Sequence, residues 1–396
     1  MLKQPQILDI DAPRVLVVED SVSMRTLICR ALEADGMRVV GAVATAYDAE
    51  AIFDEARPDA VTLDIEIPGM NGLDYLDVIM ARRPLPVVMF STLTSKGAAK
   101  SIEALAAGAF TCIGKPTAKT RSAVLAELVS TVRAAVASSC VPGGQARKVL
   151  QSIDKSKPVE APVFRRLVTI GAETGGVEAL IRILADFPEH CPPTLVAQKL
   201  EPTFLKALVA KLDTAMRPTV KIAEAGETPR SGHVYFSPAD HRHLVLCGDR
   251  LAFDDAGDSA AQHGVDALFS SVATSVGARS VGVQLTGKGT DGAAGLLALK
   301  KSGAVTLGQS EDTCAVYQMP QAAKFSGAVD REVPLPRIAK ALLRAATQPA
   351  QAKPVPVVEL DVRTPVSVVG PEPQPEALSP GLSLAEQFSP ALRAIR

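Results

Sequence analysis

Residues 59–65, DAVTLDI, form a short apolar run that ends beside the acidic residue Asp64. Similar runs stand on both sides of it, RVLVV at 14–18 and PLPVVMFS at 84–91, and helical patterns separate the runs. Strands that alternate with helices predict a parallel sheet with right-handed crossovers. The pattern covers residues 14–137 and therefore predicts one α/β domain there.

The same alternation resumes over residues 164–345 and predicts a second α/β domain. Its strands RRLVTIGA and VGVQLTG each lead into a glycine-rich turn, GAETGG and GKGTDG. Between them, HVYFSPAD and HLVLCGDRLAFDD are expected to form a β-hairpin insertion that turns at Gly248 and Asp249. The predicted fold class is α/β, with two doubly wound parallel-sheet domains.

Two other segments lack this alternation. Residues 138–163 are rich in Ser, Gly, Pro and Lys, which is typical of a linker. Residues 346–396 are Pro-rich without periodicity, which predicts a disordered tail. Recruitment of an unrelated partner by this tail stays open as a weaker hypothesis.

The bulk composition excludes several classes of protein. The formal net charge of -1 gives no electrostatic reason to expect nucleic acid or an anionic membrane as partner. No stretch reaches about 18 apolar residues, so no membrane insertion is expected. The six cysteines are scattered and the N-terminus has no signal-peptide pattern, so we expect a cytoplasmic protein with reduced cysteines.

Polar side chains stand at the ends of several strands in the first domain. Glu19 and Asp20 follow the first strand, and Asp64, Ser91 and Lys115 end three later ones. Strand ends of a parallel sheet share one edge, where ligands collect. Three carboxylates repel one another unless a hard cation such as Mg²⁺ lies among them. A carboxylate, a metal, a hydroxyl and an ammonium together suit formation of an acyl phosphate.

The segments VLVVEDSVSMR, TLDIEIPGMNGLDYL, PVVMFSTLT and IGKP resemble the receiver domains of two-component response regulators. The resemblance covers roughly residues 14–137, which we call the receiver domain, and implies a flavodoxin-like fold and a histidine kinase as phosphodonor. It departs from the family at Cys112, where receivers usually carry an aromatic residue. The roles that it implies are Asp64 as phosphate acceptor, Glu19 and Asp20 as metal-binding acids, and Ser91 with Lys115 as the switch pair.

The second domain, 164–345, which we call the effector domain, has a more specific resemblance. Four segments are similar to the methylesterase domain of chemotaxis protein-glutamate methylesterases: IGAETGGVEAL, LTGKGTDGAAGLLAL, VDALFSSVA and AVYQMPQAA. The motifs of the receiver domain resemble those of the same family. The resemblance implies a Rossmann-like domain. It also implies that members hydrolyse glutamyl methyl esters on chemoreceptors with a Ser-His-Asp triad.

Two members of that triad are replaced in this sequence. Glu173 stands where the family has its serine, Lys199 stands where it has its histidine, and Asp291 matches its aspartate. Lys288 replaces a methionine whose backbone amide lies near the family's oxyanion site. The family's R-P-S-V-D reads QHGVD at 262–266, so a substrate-facing arginine is expected to be absent.

Ester cleavage by acyl transfer needs a hydroxyl and a base that takes and returns its proton near neutral pH. A carboxylate and a protonated lysine supply neither. We therefore expect a phosphorylation-gated protein that acts by binding, and we expect Glu173, Lys199 and Asp291 to form an ion cluster with Lys288 balancing its charge. The alternative is an active chemoreceptor methylesterase or glutamine deamidase.

Three other candidate sites are not expected to function. Thr174 could be a nucleophile, but no motif places a histidine beside it. Gly282 to Lys288 partly matches a phosphate-binding loop, but Gly289 follows instead of Ser or Thr. His241, His243 and His263 could bind a metal, but three histidines without fixed partners are more often polar loop residues.

Overall fold

A computed structural model describes residues 12–138, 144–155, 162–240, 242–254 and 264–350. Within these ranges the apolar runs form strands and the segments between them form helices, so both predicted α/β domains are confirmed. No helix in the described part of the chain is long and apolar enough to cross a membrane.

The receiver domain has a five-stranded parallel sheet with helices between its strands. The strands are β1 (Arg14–Val18), β2 (Arg38–Val43), β3 (Ala60–Asp64), β4 (Val87–Ser91) and β5 (Thr111–Gly114). The helices are α1 (Val22–Ala34), α2 (Ala46–Ala56), α3 (Gly72–Arg82), α4 (Ser95–Ala107) and α5 (Arg121–Val136). The order β2-β1-β3-β4-β5 is that of flavodoxin-like folds, and every residue of β3 and β4 is buried.

Local capping fixes where four of these helices begin. Ser21, Thr45, Asn71 and Thr94 each accept a hydrogen bond from a backbone N–H in the first turn of α1, α2, α3 and α4. Such caps satisfy donors that a helix leaves unpaired at its start. The chain therefore passes from strand end to helix within a few residues at the edge that carries the acidic side chains.

The predicted linker, 138–163, contains an ordered element. Helix α6 (Gln145–Ser152) lies inside it, while 139–143 and 156–161 fall outside the described residues. The predicted tail also lies almost wholly outside them, from residue 351 onward.

Nine of the described strands belong to the effector domain. They are β6 (Leu167–Ala172), β7 (Thr194–Gln198), β8 (Thr219–Ile222), β9 (His233–Phe236), β10 (His243–Cys247), β11 (Arg250–Asp254), β12 (Ser280–Gln284), β13 (Val305–Gln309) and β14 (Arg331–Val333). The helices among them are α7 (Gly176–Ala185), α8 (Pro202–Ala215), α9 (Gly264–Ser275), α10 (Ala293–Lys301), α11 (Gln318–Phe325) and α12 (Leu335–Thr347). Seven strands form one parallel sheet in the order β14-β13-β12-β6-β7-β9-β8.

One of the two segments that the sequence assigned to the hairpin insertion does form a hairpin. Strands β10 and β11 pair antiparallel around Gly248 and Asp249, and Gly248 has the positive φ of 63° that such a turn favours. The assignment of HVYF to the hairpin was wrong, because it forms β9 inside the parallel sheet. Three of its four residues are buried, as expected for a strand covered on both faces.

The receiver packs directly on the effector domain. Helix α4 contacts α6, α7 and α8. Ala315 and Val316 of the effector domain belong to the same apolar cluster as Leu128 and Val132 of α5. The α4 and α5 side of the receiver is therefore the side that faces the effector domain.

Candidate functional site

Three carboxylates converge at the edge of the receiver sheet. One oxygen each from Glu19, Asp20 and Asp64 lies within 4.8 Å of the other two. Glu19 and Asp64 are each 1% exposed, whereas Asp20 faces solvent. The edge geometry expected from the strand ends is therefore present in the fold.

Lys115 reaches into this group from the end of β5. Its Nζ donates to Asp64 Oδ2 at 2.7 Å and to Glu19 Oε1 at 3.1 Å. Burial alone would lower the pKa of Lys115, but the hydrogen bond and the charge of Asp64, with those of Glu19, outweigh burial and raise it. Lys115 is therefore held as an ammonium against the two buried acids.

The surroundings of the Glu19 carboxylate favour a nearby cation. Burial raises the pKa of Glu19, the charge of Asp64 raises it further, and Lys115 opposes both effects. Its second oxygen, Oε2, is buried without a hydrogen-bond partner among the described residues. Buried carboxylate oxygens are expected to be paired or to coordinate a metal, so this oxygen fits a hard cation.

Ser91 ends β4 at this edge, and Cys112 lies within β5. The Ser91 hydroxyl donates to the carbonyl oxygens of Gly97, at 3.2 Å, and Thr92, at 3.3 Å, and not to the Asp64 carboxylate. Cys112 is 7% exposed and its Sγ donates to the Ser101 carbonyl oxygen at 3.4 Å. Burial raises the pKa of the Cys112 thiol, so it is an inert core residue here.

The three positions matched to the triad line one cavity of the effector domain. Glu173, Lys199 and Asp291, together with Lys288, border a cavity of about 290 Å³. Glu173 follows β6, Lys199 follows β7 and Asp291 lies between β12 and α10, so all three stand at the carboxyl edge of the sheet. The convergence expected from the sequence is therefore present.

The Glu173 carboxylate is bound by backbone amides. Its Oε2 accepts hydrogen bonds from the N–H of Thr174 and of Lys288, each at 2.7 Å. Such charge-assisted bonds are stronger than neutral ones. The position of the family's nucleophile is thus held by an anion fixed to the protein backbone.

The expected ion cluster is not formed. Asp291 accepts hydrogen bonds from the N–H of Val265, at 3.1 Å, and Asp266, at 2.9 Å, at the start of α9. No salt bridge within 4.0 Å joins Lys199 to either acid, and Lys199 is exposed. That hypothesis was wrong: backbone N–H groups, and not the Lys199 ammonium, bind the two carboxylates among the described residues.

Lys288 has a different role from the one expected. Instead of balancing charge in the cavity, its Nζ donates to Thr131 Oγ1 in receiver helix α5 at 2.9 Å. Its backbone N–H holds Glu173. Lys288 therefore connects the receiver domain with Glu173.

Two residues that the sequence patterns did not identify, Gln198 and Thr286, position this site. Gln198 Nε2 donates to the carbonyl oxygens of Glu173 and Lys199, both at 2.9 Å, and so ties together the ends of β6 and β7. Thr286 Oγ1 donates to the Thr174 carbonyl oxygen at 2.9 Å and accepts from Val316 N–H at 2.9 Å. Both are polar residues at the ends of apolar strands. The same pattern identified the acidic residues of the receiver domain from the sequence.

Among the described residues, no histidine forms a substitute for the triad with Thr174. His243, predicted to be a polar loop residue, begins β10 and is 8% exposed, and its Nε2 has no partner among the described residues. It lines an interdomain cavity of about 450 Å³ together with Glu173 and Lys199. No hydrogen bond joins a described histidine to the hydroxyl of Thr174, and His241 and His263 lie outside the described residues.

The partial phosphate-loop pattern begins inside a strand. Its first residues, Gly282 to Gln284, are part of strand β12. The first half of the pattern therefore does not supply the concave set of backbone N–H groups that binds a phosphate.

Comparisons with known proteins agree with both domain resemblances. The family model for the response regulator receiver domain matches residues 15–126, and the model for CheB methylesterase matches residues 168–342. A protein of Agrobacterium fabrum (strain C58), named protein-glutamate methylesterase/protein-glutamine glutaminase, is 43% identical over 340 residues, which cover 84% of this chain and 97% of that protein.

The chain belongs to the CheB methylesterase family. A second member of the family, protein-glutamate methylesterase/protein-glutamine glutaminase 1 of Caulobacter vibrioides, is 43% identical, with 84% of this chain and 98% of that protein covered. The solved catalytic domain of CheB methylesterase from Thermotoga maritima is 30% identical over 47% of this chain and 99% of that domain, with a TM-score of 0.42.

Proposed function

We propose that the chain acts in the cytoplasm as a response regulator that a chemotaxis histidine kinase phosphorylates on Asp64. The buried Asp64 carboxylate beside the Lys115 ammonium supports this role, because the ammonium can neutralise charge on an incoming phosphoryl group. In the transfer, an Asp64 oxygen bonds to phosphorus while the bond to the kinase histidine breaks.

Glu19, Asp20 and Asp64 would hold the Mg²⁺ of this reaction. The partnerless Glu19 Oε2 and the close approach of the three carboxylates support that assignment. When bound there, Mg²⁺ neutralises the charge that the carboxylates and a phosphoryl group would otherwise concentrate.

For the effector domain we propose binding to chemoreceptor cytoplasmic segments without ester hydrolysis. The observation that carries this proposal is the Glu173 carboxylate bound to the N–H groups of Thr174 and Lys288. Attack by this carboxylate on an ester would give an anhydride, and Lys199 stands where the family has its histidine base. A protein of this kind would compete with an active methylesterase for kinase or receptor.

A second candidate is hydrolysis of receptor glutamyl methyl esters or glutamine amides. The comparisons support it better than they support loss of activity, because relatives at 43% identity are named for both reactions. The match extends over 97% and 98% of those two relatives. The residue chemistry and the relatives' names therefore favour different candidates.

One experiment separates them. The full chain, with and without acetyl phosphate and Mg²⁺, is mixed with receptor cytoplasmic fragments in methylated and amidated forms. Binding is followed by calorimetry, and methanol and ammonia release are followed in the same samples. Phosphorylation-dependent binding without either product supports the first candidate, whereas product release above that of Glu173→Ala supports the second.

A further inference from the structure

One carboxylate oxygen, Glu173 Oε2, accepts two backbone N–H groups at 2.7 Å each. Thr174 is the next residue along the chain, but Lys288 is 115 positions away from Glu173 in the sequence. Two backbone donors on one oxygen are the arrangement that holds a developing oxyanion in acyl transfer. The fold therefore presents an anion site, and a side chain of the same protein occupies it.

The two donors are held in place by contacts other than Glu173 Oε2. The Thr174 N–H shares a peptide unit with the Glu173 carbonyl, which accepts from Gln198 Nε2 at 2.9 Å. The Lys288 N–H shares a peptide unit with the Gly287 carbonyl, which accepts from Met319 N–H at 3.0 Å. A Cβ built on Gly287 would lie 2.8 Å from Glu173 Cβ, so the two segments are in close contact. The amide pair is therefore expected to stay in position when the Glu173 carboxylate is removed.

We propose that the amide pair of Thr174 and Lys288 is a carboxylate-binding site that Glu173 fills in cis, and that this excludes the reacting oxygen of a glutamyl side chain. The inference rests on the proposed function and deepens it, since it names the atoms that close the site. Its ligand class is small monocarboxylates, because the site accepts one anionic oxygen beside a cavity of about 290 Å³. Lys199 lines the same cavity and adds positive charge.

Acetate tests the proposal on the full chain. In Glu173→Ala both N–H groups lose their acceptor, so acetate should bind where the carboxylate stood. At an acetate concentration ten times Kd, the melting temperature of Glu173→Ala should rise by about 2–4 °C relative to chloride of equal ionic strength. The parent, whose site is filled, should show no such difference.

Glu178→Ala is the matched control. Glu178 is a half-buried glutamate in the first turn of α7, and neither amide of the pair binds it. Its variant should respond to acetate as the parent does. An equal acetate effect in all three proteins, or none in Glu173→Ala, would overturn the proposal.

Glu173→Gln covers the case in which Glu173→Ala does not fold. Its side-chain oxygen still accepts from both donors, but without charge, so the amide proton resonances of Thr174 and Lys288 should both move upfield. Unchanged resonances at those two residues would contradict the proposal. Methanol release is measured separately: turnover by the parent would refute the proposed function and the exclusion of the glutamyl oxygen, whereas the acetate result tests the amide-pair site by itself.

Discussion

Lys288 joins the two domains by a hydrogen bond from its Nζ to Thr131 Oγ1, at 2.9 Å. Thr131 is 1% exposed and lies on receiver helix α5, and Lys288 is partly buried. The backbone N–H of the same lysine holds the Glu173 carboxylate. A movement of α5 would therefore act on a residue that also supports the effector cavity.

The contact between Lys288 and Thr131 should be measurable as a coupling energy. We expect Lys288→Met and Thr131→Val to be non-additive by about 0.5–1.5 kcal/mol, the worth of one hydrogen bond. Hydrogen exchange measures this coupling energy through the free energies of local opening of the α5 amides, and it needs no two-state assumption. Lys301→Met, on the exposed end of α10, is the control and should be additive with Thr131→Val. Additivity of the Lys288 pair would contradict this contact.

Lys199 should tolerate loss of its charge. It is exposed and forms no salt bridge with Glu173 or Asp291, so Lys199→Met should change the free energy of unfolding by no more than about 0.5 kcal/mol. Chemical denaturation of the parent and the variant checks this. A loss of 2 kcal/mol or more, on the scale expected for a broken buried pair, would revive the ion cluster predicted from the sequence.

Phosphorylation should depend on Asp64 and on a divalent cation. Asp64→Asn should abolish the phosphoprotein formed with kinase or acetyl phosphate, and EDTA should do the same to the parent. Asp54→Asn is the control, because Asp54 is an exposed acid on α2 that pairs with Arg82. Phosphate-affinity electrophoresis measures the fraction of phosphorylated protein in each sample. Phosphorylation of Asp64→Asn at the parental level would place the acceptor elsewhere.

Glu178 should make stability depend on pH. Burial raises the pKa of Glu178 above its ordinary value of 4.5, and Arg182, at 3.9 Å, only partly opposes this. The ionised carboxylate of Glu178 therefore destabilises the folded state. This destabilisation is complete above the raised pKa and disappears as the pH falls to the ordinary pKa. Glu178→Gln should melt above the parent at pH 8, with a difference that vanishes near pH 4.5.

The exposed Glu55 provides the control for that series. Glu55→Gln should leave the melting temperature close to that of the parent at every pH. A Glu178→Gln difference that is constant from pH 4.5 to 8 would show that packing, and not ionisation, causes it.

The sequence predicted the residues at strand ends well, for a physical reason. Parallel strands bring their carboxyl ends to one edge, so Glu19, Asp64 and Lys115 had to approach one another once the strands were recognised. The same rule placed Glu173, Lys199 and Asp291 around one cavity.

The partners of those side chains could not be predicted in the same way. The Glu173 bond to Lys288 N–H depends on how closely the β6 and β12 loops approach, and Lys288 binds Thr131 only because the receiver docks there. The hairpin error has a similar cause. The apolar alternation of HVYF suits a hairpin or a sheet, and only tertiary packing selects the parallel sheet.

The most direct test is methanol release from a receptor with labelled glutamyl methyl esters. The phosphorylated parent should release no more methanol than Glu173→Ala. Glu173→Ser/Lys199→His, which restores a hydroxyl and an imidazole beside Asp291, should exceed both, since losing triad members costs about 10⁴–10⁶ in rate in serine proteases. Methanol release by the parent above that of Glu173→Ala would contradict the account.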